Sequence, residues 1–164
     1  MADTKKVLFF LVEGPTDEGT LSAVMKRIFD SQAVHFQVVH GDITTEQDIS
    51  GRNAKKHVAE RISVEMKKYG YQKTDILRVV HLIDTDGAFI PDSAVYECAA
   101  EGICYFEDHI ETKYVSSVRK RNAKKAQVIA TLSRTGKILR DVPYSIFYFS
   151  RNMEHVLHNR SEEL

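Results

Sequence analysis

The chain alternates short apolar runs with polar turns and amphipathic stretches. Residues 7–12, VLFFLV, are continuously apolar, which predicts a strand buried on both faces, as in a parallel sheet under helices. Over 17–29, Leu21, Val24, Met25, Ile28 and Phe29 fall on one helical stripe. Thr16 is its N-cap candidate, and Asp17 and Glu18 suit its first turn. A second strand is predicted over 34–39, then a polar loop over 41–51. The helix predicted over 54–69 carries Val58, Ile62, Met66 and Tyr69 on one side and stops at Gly70. Residues 76–83 are the third strand. Pro91 is expected to open a short helix ending near Gly102, residues 103–112 have no clear assignment, and 114–133 form a long helix with a basic middle. Pro143 precedes a fourth strand over 145–149, and MEHVLHN has the look of a helix start. Strands alternating with helices predict an α/β fold with a mostly parallel central sheet of about four strands flanked by helices. The expectation is one domain over 1–164, with its core in about 6–90 and a helical and strand extension in 91–164.

Composition narrows the class without naming a partner. An apolar fraction of 43% and a charged fraction of 28% over 164 residues suit a soluble globular domain. Lys+Arg and Asp+Glu balance at 23 each, so a nucleic-acid site would need a local basic face. Cys98 and Cys104 have no metal-ligand or redox spacing, which suits a reduced, cytoplasmic protein. No apolar run approaches the roughly 18 residues of a membrane span, and none resembles a signal peptide. The polar end RSEEL has no clear stop signal, so a longer natural chain stays open. The segment RNAKK occurs at 52–56 and 121–125, but its flanks do not match, and no repeat architecture follows.

The candidate chemistry sits where strands end. The first strand ends on Glu13-Gly14, and the third on Asp84, Asp86 and Gly87. In open α/β sheets, ligands bind outside the carboxyl ends of the strands. If the third strand stays extended, Asp84 and Asp86 leave the same face. Carboxylates so close repel unless a cation or proton lies between them. A divalent metal shared by Glu13, Asp84 and Asp86 is the central expectation, with magnesium or manganese suited to hard oxygen ligands. Asp17 either reaches the same site or complements the helix dipole.

These two strand ends, a hydrophobic strand closing on Glu13-Gly14 and a later one closing on Asp84-Thr85-Asp86, resemble the Toprim domain. That metal-binding catalytic fold is shared by topoisomerases, bacterial primases and several nucleases. The resemblance spans about residues 6–90 and implies a Toprim-like Rossmannoid fold. The variant VEGPTDEGTL is most similar to the nucleases of the OLD family. It implies that Glu13 and Asp17 contact metal alongside Asp84 and Asp86, and that Glu154, after the last strand, completes the site. OLD proteins also carry an ATPase domain for which this chain has no segment. The resemblance therefore implies a stand-alone Toprim protein, a separate ATPase partner, or a piece of a longer protein.

The function expected on this basis is metal-dependent hydrolysis of nucleic-acid phosphodiesters. Asp84 and Asp86 would hold the metal, and Glu13 would serve as ligand or as general base. One metal or two, and DNA or RNA, stay open. Candidate phosphate-binding cations are Arg52, Lys55 and Lys56, and the denser group Arg119, Lys120, Arg121, Lys124 and Lys125. Two rivals remain. One is a non-catalytic Toprim-like module that binds a partner or nucleic acid. The other is a phosphatase of the haloacid-dehalogenase type, with Asp84 as nucleophile and Asp86 as acid/base, although that motif normally opens its fold. GPTDEGT mimics a phosphate-binding loop only in glycine spacing, because its acids would repel phosphate. His155 and His158 are too few for a zinc site, and a structural or surface role is expected for them.

Overall fold

The computed structural model describes residues 6–14, 19, 21–25, 34–40, 43–99 and 101–149. Strand β1 (Lys6–Val12) lies between β2 (Val34–His40) and β3 (Ile76–Asp84), parallel to both. β3 pairs in parallel with β8 (Val142–Phe149), and the two-residue β7 (Lys137–Ile138) adds an antiparallel edge. The central sheet thus has five strands in the order β2-β1-β3-β8-β7, one more than the sequence suggests. Two residues are too few for any periodicity to reveal. β8 begins three residues earlier than expected. Pro143 falls inside it, paired with β7, just before the parallel pairing with β3 starts at Tyr144. A proline is tolerated there because no N–H is required before that ladder begins.

The apolar runs of β1 and β3 are buried because both faces of the sheet are covered. Val7, Phe9, Leu11, Val79 and Ile83 pack on one face under α2 (Ala54–Tyr69) and α3 (Val115–Ser133). Phe10, Val12 and Val38 pack on the other face, with Leu21 and Met25 of a helical segment, α1, over 21–25. The α2 boundaries are those the sequence predicts, and Gly70 ends the helix at φ 74° with its N–H returning to the last turn. Among the described residues, no helix is long and apolar enough to cross a membrane.

Residues 91–112 depart from expectation. Pro91 opens only one 3₁₀ turn, Asp92–Ala94, and the chain then extends as β4 (Val95–Glu97). Val95 and Tyr96 favour a strand, and Val95 anchors it by burial. The unassigned stretch becomes β5 (Ile103–Tyr105) and β6 (Ile110–Thr112), an antiparallel pair closed by the Phe106 N–H donating to the His109 carbonyl at 2.9 Å. These strands form a second sheet in the order β4-β6-β5, with Ile110 fully buried beneath it beside Val118 of α3.

Candidate functional site

Glu13 follows β1 at the carboxyl edge of the sheet. Continuing the alternation of Phe9 and Leu11, it belongs to the face covered by α3. Its Oε1 accepts the hydroxyl hydrogen of Thr44, a buried residue just after β2, at 2.6 Å. Its Oε2 accepts from the Lys125 ammonium at 3.1 Å.

Asp86 reaches the same ammonium. β3 ends at Asp84, and Thr85 to Ala88 form a turn closed by the Ala88 N–H on the Thr85 carbonyl at 2.7 Å. Its central residues both have positive φ, 45° at Asp86 and 73° at Gly87, as in a type I′ turn, for which Asp-Gly is a favoured pair. This corrects the expectation of an extended strand end. Asp84 keeps the alternation of Val80 and Leu82, which pack towards α1. The left-handed turn instead carries Asp86 over to the α3 side, where its Oδ2 lies 2.6 Å from Lys125 Nζ. A non-glycine residue at positive φ costs on the order of 1 kcal/mol. Asp86 is held there at both ends, by Lys125 on its side chain and by Arg121 Nη2 donating to its carbonyl at 2.9 Å.

Glu13 and Asp86 therefore do converge, and the cation between them is Lys125. Its side chain is 1% exposed. Burial alone is the strongest influence on it and opposes its charge, but Glu13 and Asp86 together outweigh that and hold its pKa above the ordinary lysine value. Among the described residues, no group of three or more His, Cys, Asp or Glu side chains is placed to hold a metal. Glu13 and Asp86 share Lys125 on the α3 side, whereas Asp84 follows the alternation of the α1 side. Glu13 and Asp86 are hard oxygen donors, the kind that a magnesium or manganese ion takes one or two of. Asp17 and Glu154 lie outside the described residues, as do His155, His158 and the helix start at MEHVLHN.

The dense basic group on α3 is largely turned inward. Besides Lys125, Arg119 donates to the Val95 carbonyl at 3.0 Å, and Arg121 also donates to Asn122. Lys124 donates to the carbonyls of Glu46 and Gln47, which fixes the loop that carries Thr44. Lys120 is exposed, as are Arg52, Lys55 and Lys56 at the start of α2, where Lys56 pairs with Glu60 at 3.6 Å. Sequence reasoning missed Thr44, and it placed Lys125 with the phosphate-binding cations. A signal for Lys125 was present: Val118, Asn122, Lys125, Ile129 and Leu132 share the buried stripe of α3, and a lysine on such a stripe requires a partner.

Gly87 ties the acid turn to the second sheet. A Cβ there would lie 2.5 Å from Ile110 Cδ1 and 3.3 Å from Ile90 Cδ1, at a φ that L side chains rarely adopt. Gly87→Ala is expected to destabilise the protein by about 2 kcal/mol, from the left-handed backbone and the displaced Ile110 together. Urea denaturation at unchanged m-value would show it; a midpoint equal to that of the wild type would mean the turn does not depend on this glycine. No protein family, curated protein or solved structure matches the chain.

Proposed function

We propose that the sheet edge bearing Glu13, Asp84 and Asp86 is a divalent-cation-dependent site for hydrolysis of nucleic-acid phosphodiesters, with a Toprim-like arrangement. The observation that supports it most is the convergence of Glu13 and Asp86, from two adjacent parallel strands, on one buried ammonium at the ligand-binding edge. Magnesium is commonly held by only one or two carboxylates with waters and substrate phosphate, so a closed protein cage is not required. When bound, such a cation, magnesium or manganese, would polarise a phosphoryl oxygen and make bound water more acidic. The chain's own groups would do the rest. Thr44 and Lys125 fix both oxygens of Glu13, which leaves it oriented as ligand or general base. Lys125 acts as a positioning residue that keeps two repelling carboxylates together. Exposed Arg52, Lys55, Lys56 and Lys120 would attract the phosphate backbone in a salt-dependent way.

Glu13→Gln and Asp86→Asn are each expected to lower cleavage of labelled DNA or RNA by roughly a hundredfold or more with magnesium or manganese present. Equal activity in both variants, with folding intact, would sink the proposal. A second reading, a module that binds nucleic acid without cutting it, is favoured by Lys125 standing where Glu13 and Asp86 meet. It predicts oligonucleotide binding with no cleavage under any metal. Hydrolysis of a simple phosphomonoester, lost in Asp84→Asn, would instead point to the phosphatase chemistry.

A further inference from the structure

A cleft of ≈ 730 Å³ opens beside the acid turn, between the ends of β3 and β8 and the β5–β6 hairpin. That is the size range of sites for small molecules. Thr85 and Gly87, on either side of Asp86, form one wall; Phe89, Phe106, Glu107 and Tyr148 line the rest. Three of these are aromatic rings left substantially in solvent: Phe89 is 60% exposed, Tyr148 61% and Phe106 43%. Aromatic rings gathered around one opening are more than the scatter of single apolar residues on a normal surface. The Phe106 ring is also pre-set, because it stacks on His109 with centroids 4.4 Å apart and planes 6° from parallel. Arg121 marks the seam between cleft and acids. Its guanidinium carbon lies 5.9 Å from the centre of the Tyr105 ring on the cleft wall, while Nη2 donates to the Asp86 carbonyl.

We propose that this cleft receives an unpaired nucleobase, so that the substrate is a single-stranded nucleic acid or an unpaired segment of one. The inference rests on the reading of the acid edge as a phosphodiester site and names its substrate class. Flat, exposed rings are stacking platforms that accept any base. Glu107 offers an acceptor for the exocyclic amino group of a base. Arg121 places positive charge where the phosphate joining that base to the acid turn would pass. A base within a duplex is stacked on both faces and paired at its edge, so it cannot enter a side cleft without leaving the helix.

The test is fluorescence anisotropy with a labelled single strand of about ten nucleotides and the duplex of the same sequence, with calcium in place of magnesium so that the acid edge holds a hard cation while cleavage is suppressed. The single strand is expected to bind at least tenfold more tightly. Phe89→Ala and Tyr148→Ala are each expected to weaken it about tenfold, the loss expected for one stacked base. Both side chains are exposed, so melting temperatures should not move, and replacing one central nucleotide with an abasic unit should reproduce the loss. Equal binding of strand and duplex, or unchanged binding in both aromatic variants, overturns the inference. Binding of neither form also overturns it and turns attention to an apolar peptide as the occupant. Failure of the underlying reading looks different. Cleavage that depends on Glu13 but ignores the cleft variants removes the base site and keeps the hydrolysis. Single-strand binding that depends on Phe89 and Tyr148, without cleavage under any metal, keeps the base site and removes the hydrolysis.

Discussion

Replacing Lys125 with methionine is expected to cost about 3 kcal/mol of stability, although methionine fills nearly the same space and suits a buried helix stripe. The loss comes from the partners left behind. Glu13, with a side chain 10% exposed, and Asp86, at 33%, would face each other with no charge between them. Removing one member of a buried ionic group typically costs about 3–5 kcal/mol, and the partial exposure of Asp86 places this case at the lower end. For a chain of this length, that is a fall of roughly 6–12 °C in Tm. The triple variant Lys125→Met/Glu13→Gln/Asp86→Asn should recover much of it, because no charge is then stranded. If Lys125→Met alone melts with the wild type, the ammonium does not hold the two strand ends together.

The same contact predicts an alkaline limit. Lys125 has a folded pKa above its ordinary 10.5, so the folded state binds the proton more tightly than the unfolded chain does. That contribution is complete below the ordinary value and is lost as pH rises through the folded one. Wild-type stability should therefore fall in this range, and Lys125→Met should lack that component.

Lys125 also shows where the sequence was legible and where it was not. Apolar runs ending in acids identified β1 and β3, and helical spacing identified α2, because these elements are long and bury whole faces. β4, β5 and β7 are held by pairing rather than by pattern, and two or three residues carry no periodicity. The site was half legible for a related reason. Acids at strand ends announce a cation, but not which one, and a lysine 112 residues away in sequence from Glu13 supplies it here. The Asp86-Gly87 pair carried further information. As a type I′ signal it takes Asp86 out of the strand's alternation, which separates it from Asp84 and sends it to the α3 face.

Between pH 6.5 and 3 the protein is expected to lose on the order of 4 kcal/mol through His81 alone. His81 lies in the middle of β3, fully buried, with Nδ1 2.7 Å from the Tyr144 hydroxyl on β8. Its Nε2 is buried and has no partner. Burial lowers its pKa from 6.5 to about 3, since an imidazolium in this core would have little to solvate it. The unfolded chain thus binds a proton that the folded chain refuses. Stability from this group is present above 6.5 and is lost progressively as pH falls towards 3. His109 works in the opposite sense, because its hydrogen bond to Asp108 raises its pKa, but it is half-buried at the edge of the second sheet and outside the central core. The diagnostic window is about pH 6.5 to 5, before ordinary carboxylates titrate. There the wild-type urea midpoint should fall, while that of His81→Leu/Tyr144→Phe should stay nearly flat. The double change is needed because His81→Leu alone would strand the Tyr144 hydroxyl, at about 1–3 kcal/mol. Parallel acid curves for the two proteins would mean that His81 accepts its proton in the folded state, and that the sheet beneath the acid edge opens to water more readily than its burial implies.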